Sequence, residues 1–212
     1  LTDNTTGASN VGLGTNTLAN NTTASQNTAL GNAAMHVNTT GAYNTAVGSI
    51  ALYNNTTASE NVAVGYRALH LTTTGNHNIS VGANNLDANT TGAQNTSIGH
   101  AALSENTTAS NNTAVGFLAL NANTTGGNNT AVGSSALDAV TTGSWNTAVG
   151  KEALTSATSD QNTAIGARAA QNLTSGYYNT AVGMDALKAT TTGTSNTAVG
   201  WNSLLLNTAG SG

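Results

Sequence analysis

The stretch Asn44–Gly48 reads NTAVG, and it returns letter for letter at Asn112–Gly116, Asn129–Gly133, Asn146–Gly150, Asn179–Gly183 and Asn196–Gly200. The Gly that closes it recurs at Gly14, Gly31, Gly48, Gly65, Gly82, Gly99, Gly116, Gly133, Gly150, Gly166, Gly183 and Gly200. The step is 17 residues throughout, except for one step of 16 between Gly150 and Gly166. A fixed period over nearly the whole chain is the signature of a repeat architecture. It makes residues 1–212 one repetitive domain with no linker and no second domain.

Each column of the repeat has its own requirement. Four residues before the Gly there is always Asn: Asn10, Asn27, Asn44, Asn61, Asn78, Asn95, Asn112, Asn129, Asn146, Asn162, Asn179 and Asn196. The next residue is β-branched, Thr in nine copies and otherwise Val11, Val62 or Ile79. A small residue follows, usually Ala, and then an aliphatic one such as Leu30, Val47 or Ile98. Four after the Gly stands Leu in ten copies, with Met35 and Ala170 as exceptions. A Thr-Thr pair and then Gly or Ala usually close the unit, as in Thr39-Thr40-Gly41. The two residues after the motif Gly and the two before the Asn vary freely and hold Tyr66, Phe117, Trp201, Tyr43 and Trp145, which marks them as outward-facing.

Seventeen residues are too few for two helices and a turn. β-Branched residues favour strand, and Asn, Thr and Gly bracket them as turn chemistry. The expected fold is therefore all-β, a parallel β-solenoid (β-roll) of twelve 17-residue coils. NTAVG is its main strand and the segment through Ala-Leu a second, shorter one. The motif Gly is expected at a corner with φ > 0. Stacked about 4.8 Å apart, twelve coils would span roughly 55 Å.

One coil that buries a Val-type and a Leu-type side chain gains about 3–6 kcal/mol. Ordering its backbone costs about 1–2 kcal/mol per residue, so coils must stack to fold. The invariant Asn column is expected to form an amide ladder between coils, as Asn does in cross-β stacks.

In the strand the Thr/Val positions share one face and the Asn/Ala positions the other. Neither face carries random polar residues, which implies cover on both sides. A second copy of the chain is the simplest second cover, in a lateral homotrimer. The alternative is a wider single-chain solenoid that covers both faces itself. The repeat runs into both ends of the sequence, which leads us to expect end-to-end filament growth as well.

The unit N-T-A-V-G-x-x-A-L resembles the head repeats of trimeric autotransporter adhesins, and it is similar to repeat arrays of phage and bacterial tail-fibre proteins. The turn Asn38–Gly41 makes the unit here longer than is typical of that family. The resemblance implies a left-handed parallel β-roll, trimeric, at a cell or virion surface, used for attachment or as a stalk. In that family these columns are scaffold positions rather than a catalytic site.

Composition excludes several classes. Only 6% of the residues are charged and Cys is absent, so disulfides and thiolate metal sites are ruled out. The cations are Arg67, Lys151, Arg168 and Lys188 alone, too few and too scattered for nucleic-acid phosphates. No run of apolar residues is long enough for membrane insertion of this segment. His36, His70, His77 and His100 read as occupying different columns without metal-ligand spacing, and the acids form no catalytic pair. No nucleophile or phosphate-loop motif occurs. The expectation is a non-enzymatic structural protein without cofactor, extracellular or on a cell or virion surface.

Asn4, Asn21, Asn38, Asn55, Asn89, Asn106 and Asn123 each begin N-T-T in the same turn. This makes them candidate glycosylation sites, although Asn and Thr are also good turn formers. Two further functional readings come from the same residues. Thr-Thr columns on a flat face would suit ice binding, and the variable aromatics would suit carbohydrate binding to surface glycans.

Overall fold

A computed structural model describes residues 3–212. They group into two compact units, one ending at Ala109 and one spanning Ser110–Gly212. The 17-residue spacing continues in sequence across the division, from Gly99 to Gly116. The first unit contains β1 (Val11–Leu13), β2 (Thr28–Leu30), β3 (Thr45–Val47), β4 (Val62–Val64), β5 (Ile79–Val81) and β6 (Thr96–Ile98). The second contains β7 (Thr113–Val115), β8 (Thr130–Val132), β9 (Thr147–Val149), β10 (Thr163–Ile165), β11 (Thr180–Val182) and β12 (Thr197–Val199). Within each unit consecutive strands pair parallel, column on column, as in Thr45↔Val62 and Ala131↔Ala148. The register survives the short step, since Thr147 pairs with Thr163. The fold is an all-β parallel solenoid, and no helix forms among the described residues.

Its core is narrower than the sequence suggests. The strand turns its Ala inward: Ala46, Ala63, Ala114, Ala131, Ala148 and Ala164 are fully buried. Across from them lie the Leu column, Leu52 to Leu187, and the Ala before each Leu. The aliphatic residue that precedes the motif Gly does not fill the interior, contrary to expectation. Val132 keeps 36% and Ile165 42% of its surface exposed. The face assignment follows the alternation of a strand, but the small Ala is the core residue. With coils this short, the opposite wall is too near for a β-branched side chain. The same tightness links columns: where the Leu column has Ala170, the same coil buries Leu173. Where Ser80 replaces the strand Ala, Asn85 replaces the Ala before Leu, and the Ser80 hydroxyl donates to the Asn85 carbonyl oxygen at 2.9 Å.

The second strand expected through Ala-Leu is a run of turns instead. Its φ alternates in sign. The motif Gly stands at φ 119° to 140°, and the second and fourth residues after it are also positive, as in Ser135 (52°) and Leu137 (54°). The residue before each Asn is likewise left-handed, as in Tyr43 (60°) and Trp145 (63°). Such φ is rare for bulky side chains and costs about 1–3 kcal/mol per residue. Hydrogen bonds to both neighbouring coils hold it here. Gly31 and Ala33 donate to Leu13 and Thr15 of the preceding coil, whereas Met35 and Val37 donate to Ala51 and Tyr53 of the following one. The alternation also aims the Leu side chain into the interior.

At the motif Gly of every coil from Gly14 to Gly183 no side chain fits. A Cβ on Gly133 would lie 2.6 Å from the carbonyl of Gly150. Gly133→Ala should therefore lower stability in a urea melt by at least about 2 kcal/mol. Gly127→Ala, at ordinary φ with Ser110 O 3.1 Å away, should cost under about 1 kcal/mol.

Candidate functional site: the axial Asn and Thr ladders and the exposed columns

Two columns of polar side chains run along each unit, and another runs along the first unit and ends at Asn123 in the second. The first is the invariant Asn column. The Asn44 backbone N–H donates to Oδ1 of Asn27 at 2.9 Å, and the Asn61 N–H donates to Oδ1 of Asn44 at 2.9 Å. Most of the side-chain Nδ2 groups donate to a carbonyl at the closing turn, as Asn44 does to Ala58 O (2.9 Å) and Asn129 to Gly143 O (2.8 Å), whereas Asn61 donates to Asn44 Oδ1. The pattern begins with Oδ1 of Asn10, which accepts from the Asn27 N–H. It continues through Asn78 and Asn95 in the first unit. In the second it runs from Asn112 and Asn129 through Asn146, Asn162 and Asn179 to Asn196. From Asn27 to Asn196 these side chains are buried. Burying an amide is tolerated only when its donors and acceptors are met. Here they are met by the neighbouring coil.

The second column holds the residues read as glycosylation sites. Asn21, Asn38, Asn55, Asn89, Asn106 and Asn123 are completely buried, while Asn4 is exposed. Asn38 Nδ2 donates to Asn21 Oδ1 (2.8 Å) and to Gly41 O (3.0 Å), and Asn106 Nδ2 donates to Asn89 Oδ1 (2.9 Å). A glycan on any of these six nitrogens has no room in the folded coil, so their role is corrected to a structural one. The Oδ1 of Asn55 has no partner, because the next coil carries Thr72 in that column. From Val140 onward the column turns mostly apolar, with Ala157 and Leu173 also buried.

The third column is the first Thr of each Thr-Thr pair. Its hydroxyl donates to a carbonyl of the adjacent coil, as Thr39 does to Thr56 O (2.8 Å) and Thr174 to Thr191 O (2.9 Å). The first hydroxyl of each pair is spent on the adjacent coil even where that Thr is exposed, as at Thr191, so the pair makes no flat double rank of free hydroxyls.

Most of the charge sits in the variable columns, and two of the four cations pair with a carboxylate of the next coil. Arg67 grips Asp87 with Nη2–Oδ2 2.9 Å, and Arg168 grips Asp185 at 2.7 and 2.8 Å. The Arg168 guanidinium holds the Asp185 carboxyl well below the usual carboxylate range. His36 and His70 share one column, contrary to the sequence reading, with Tyr53 between them. His36 stacks on Tyr53 at 5.2 Å, His70 lies tilted to Tyr53 at 5.7 Å, and His70 Nδ1 lies 3.6 Å from Asp87. Among the described residues no cluster of three His, Asp or Glu side chains could hold a metal ion. No helix there is long and apolar enough to cross a membrane. No family model, curated protein or solved structure matches the chain.

Removing one rung tests the Asn ladder. Asn129→Ala strands the Asn146 N–H and the Gly143 carbonyl, so the loss should be about 2–6 kcal/mol at about 1–3 for each orphaned group. Exposed Thr125→Ala, at ordinary φ, should cost under about 1 kcal/mol by the same urea melt.

His70 predicts a pH slope. Burial pushes its pKa below the ordinary value of 6.5, outweighing the attraction of Asp87, while Arg67 pushes the same way as burial. The unfolded chain then takes up the proton first as pH falls. Stability should be full above about pH 6.5 and decline below it until the folded-state pKa is passed. His70→Gln should flatten that decline in melts across this range.

Proposed function

We propose that the chain is a non-enzymatic structural segment of an extracellular fibre, adhesin or tail fibre, a stiff element that works by self-association. The observation that carries this reading is the outer face of the strands. Thr113, Thr130, Thr147, Thr163, Thr180 and Thr197 stand beside Val115, Val132, Val149, Ile165, Val182 and Val199, all on the side away from the core. The chain itself does not cover this face, which argues against the wider single-chain solenoid. Regular ranks of β-branched side chains without charge suit packing against an identical array, and cover by further copies in a homotrimer fits them. Axial hydrogen bonding through every coil supports a mechanical role at a cell or virion surface. The resemblance to adhesin and tail-fibre repeats points the same way.

A second reading, ice binding, is favoured by the same face rather than by the Thr-Thr pairs. It offers alternating files of hydroxyl and methyl groups at the coil spacing.

Native mass spectrometry with electron microscopy tests the proposal. The protein should appear as trimers or larger rods, and Val132→Asp with Val149→Asp should yield a folded monomer, because introduced charges resist burial in the interface. A wild-type monomer would overturn self-association, and thermal hysteresis in that monomer would support the ice reading.

A further inference from the structure

The one irregular step in the repeat, Gly150 to Gly166, coincides with a cleft. Its hydrogen bonds show which residue is missing. Thr158 keeps the first-Thr position, donating to Thr174 O at 2.9 Å. Ser159 takes the place of the closing Gly, since its carbonyl accepts from Asn146 Nδ2 as the Gly143 carbonyl accepts from Asn129 Nδ2. Asp160 then stands in the column of Ser25, Ser59, Ser110 and Ser144, accepting the Ser144 N–H at 2.7 Å as Ser144 Oγ accepts the Gly127 N–H. The deleted position is the outward second Thr. Its absence opens a cleft of about 460 Å³ within the second unit, lined by Thr142, Thr158, Ser159, Asp160, Gln161, Tyr177 and Tyr178.

We propose that this cleft is a binding site for a neutral carbohydrate. The volume falls in the range of small-ligand sites, about 300–1,000 Å³. Tyr177 and Tyr178 meet edge to face, centroids 5.2 Å apart, and keep 48% and 55% of their surface exposed. Exposed Tyr rings beside a cleft offer an electron-rich face to the C–H side of a pyranose and a hydroxyl at the rim. While the Thr158 and Ser159 hydroxyls already donate to Thr174 O and Gly176 O and offer the cleft no donor, Gln161, Asp160 and Thr142 line it beside the rings. Such a set matches the alternating donors and acceptors of sugar hydroxyls. No Lys or Arg lines the cleft and one carboxylate does, so sialylated, sulfated or phosphorylated ligands are disfavoured. The inference is independent of the self-association reading, because every lining residue belongs to one chain.

Saturation-transfer NMR titrations with chitotriose, maltotriose and lactose, and with sialyllactose as the anionic arm, test the site. At least one neutral oligosaccharide should bind saturably, and sialyllactose should bind tenfold or more weakly than lactose or not at all. Inserting one Thr between Thr158 and Ser159 restores the regular corner and should abolish binding. Tyr177→Ala, at an exposed ring, should weaken it tenfold or more, and Tyr43→Ala in the first unit should change nothing. Asp160→Asn should narrow the gap between lactose and sialyllactose. Absence of saturable binding by all three neutral sugars overturns the proposal. So does binding that Tyr177→Ala and the Thr insertion leave unchanged. Rod formation by the Tyr177→Ala protein, seen by electron microscopy, is unaffected in either case and is judged separately.

Discussion

A 17-residue coil encloses too little space for an apolar core of ordinary size, and the rest of the structure follows from how its buried amides are satisfied. The interior is Ala, Leu and Asn. An Asn in that position is stable only if each of its groups finds a partner. The partner is the same residue one coil along, whose backbone N–H meets the Oδ1. One residue type thus fixes the spacing, the parallel register and the dependence of each coil on its neighbours. This makes the fold a one-dimensional assembly in the sense of other solenoids.

The corner illustrates how much local strain such an arrangement tolerates. In each coil the motif Gly and three residues of other types sit at positive φ, among them the Leu that fills the core. An isolated chain would avoid these conformations. They persist because hydrogen bonds to the coils on either side leave the backbone no better choice, and because the reversal drives the Leu side chain inward. Strain and core packing are therefore features of the stack, and neither is a property of a single repeat.

With the core so thin, the larger side chains have nowhere to go but outward. The β-branched files of the strand and the scattered aromatics lie toward the surface, and so do the ion pairs apart from the buried Asp185. Two departures from the pattern concentrate chemistry there. One is the His36–Tyr53–His70 stack that ends on Asp87 and Arg67. The other is the shortened coil, where loss of an outward Thr leaves a cleft walled by Tyr177 and Tyr178. Regular coils present files of like residues, so a distinct site arises only where the regularity fails.

The sequence by itself determined the period, the strand, the parallel in-register stacking and the left-handed need of the motif Gly, because each is written as a column with a fixed chemical requirement. The step of 16 was equally visible, although which residue was missing was not: that took the partners of Thr158, Ser159 and Asp160. Tertiary structure alone decided which strand face is inside. Alternation separates Ala from Val without saying which of them points inward, and only the distance to the opposite wall makes Ala fit. It also decided that Asn38 and its column are interior rungs rather than surface acceptors, since N-T-T reads the same in an exposed turn as in a buried one. The left-handed Leu was likewise invisible, because no side-chain preference announces it. Burial and inter-coil hydrogen bonds are properties of the stack, and a one-dimensional string records them only where they force a residue type.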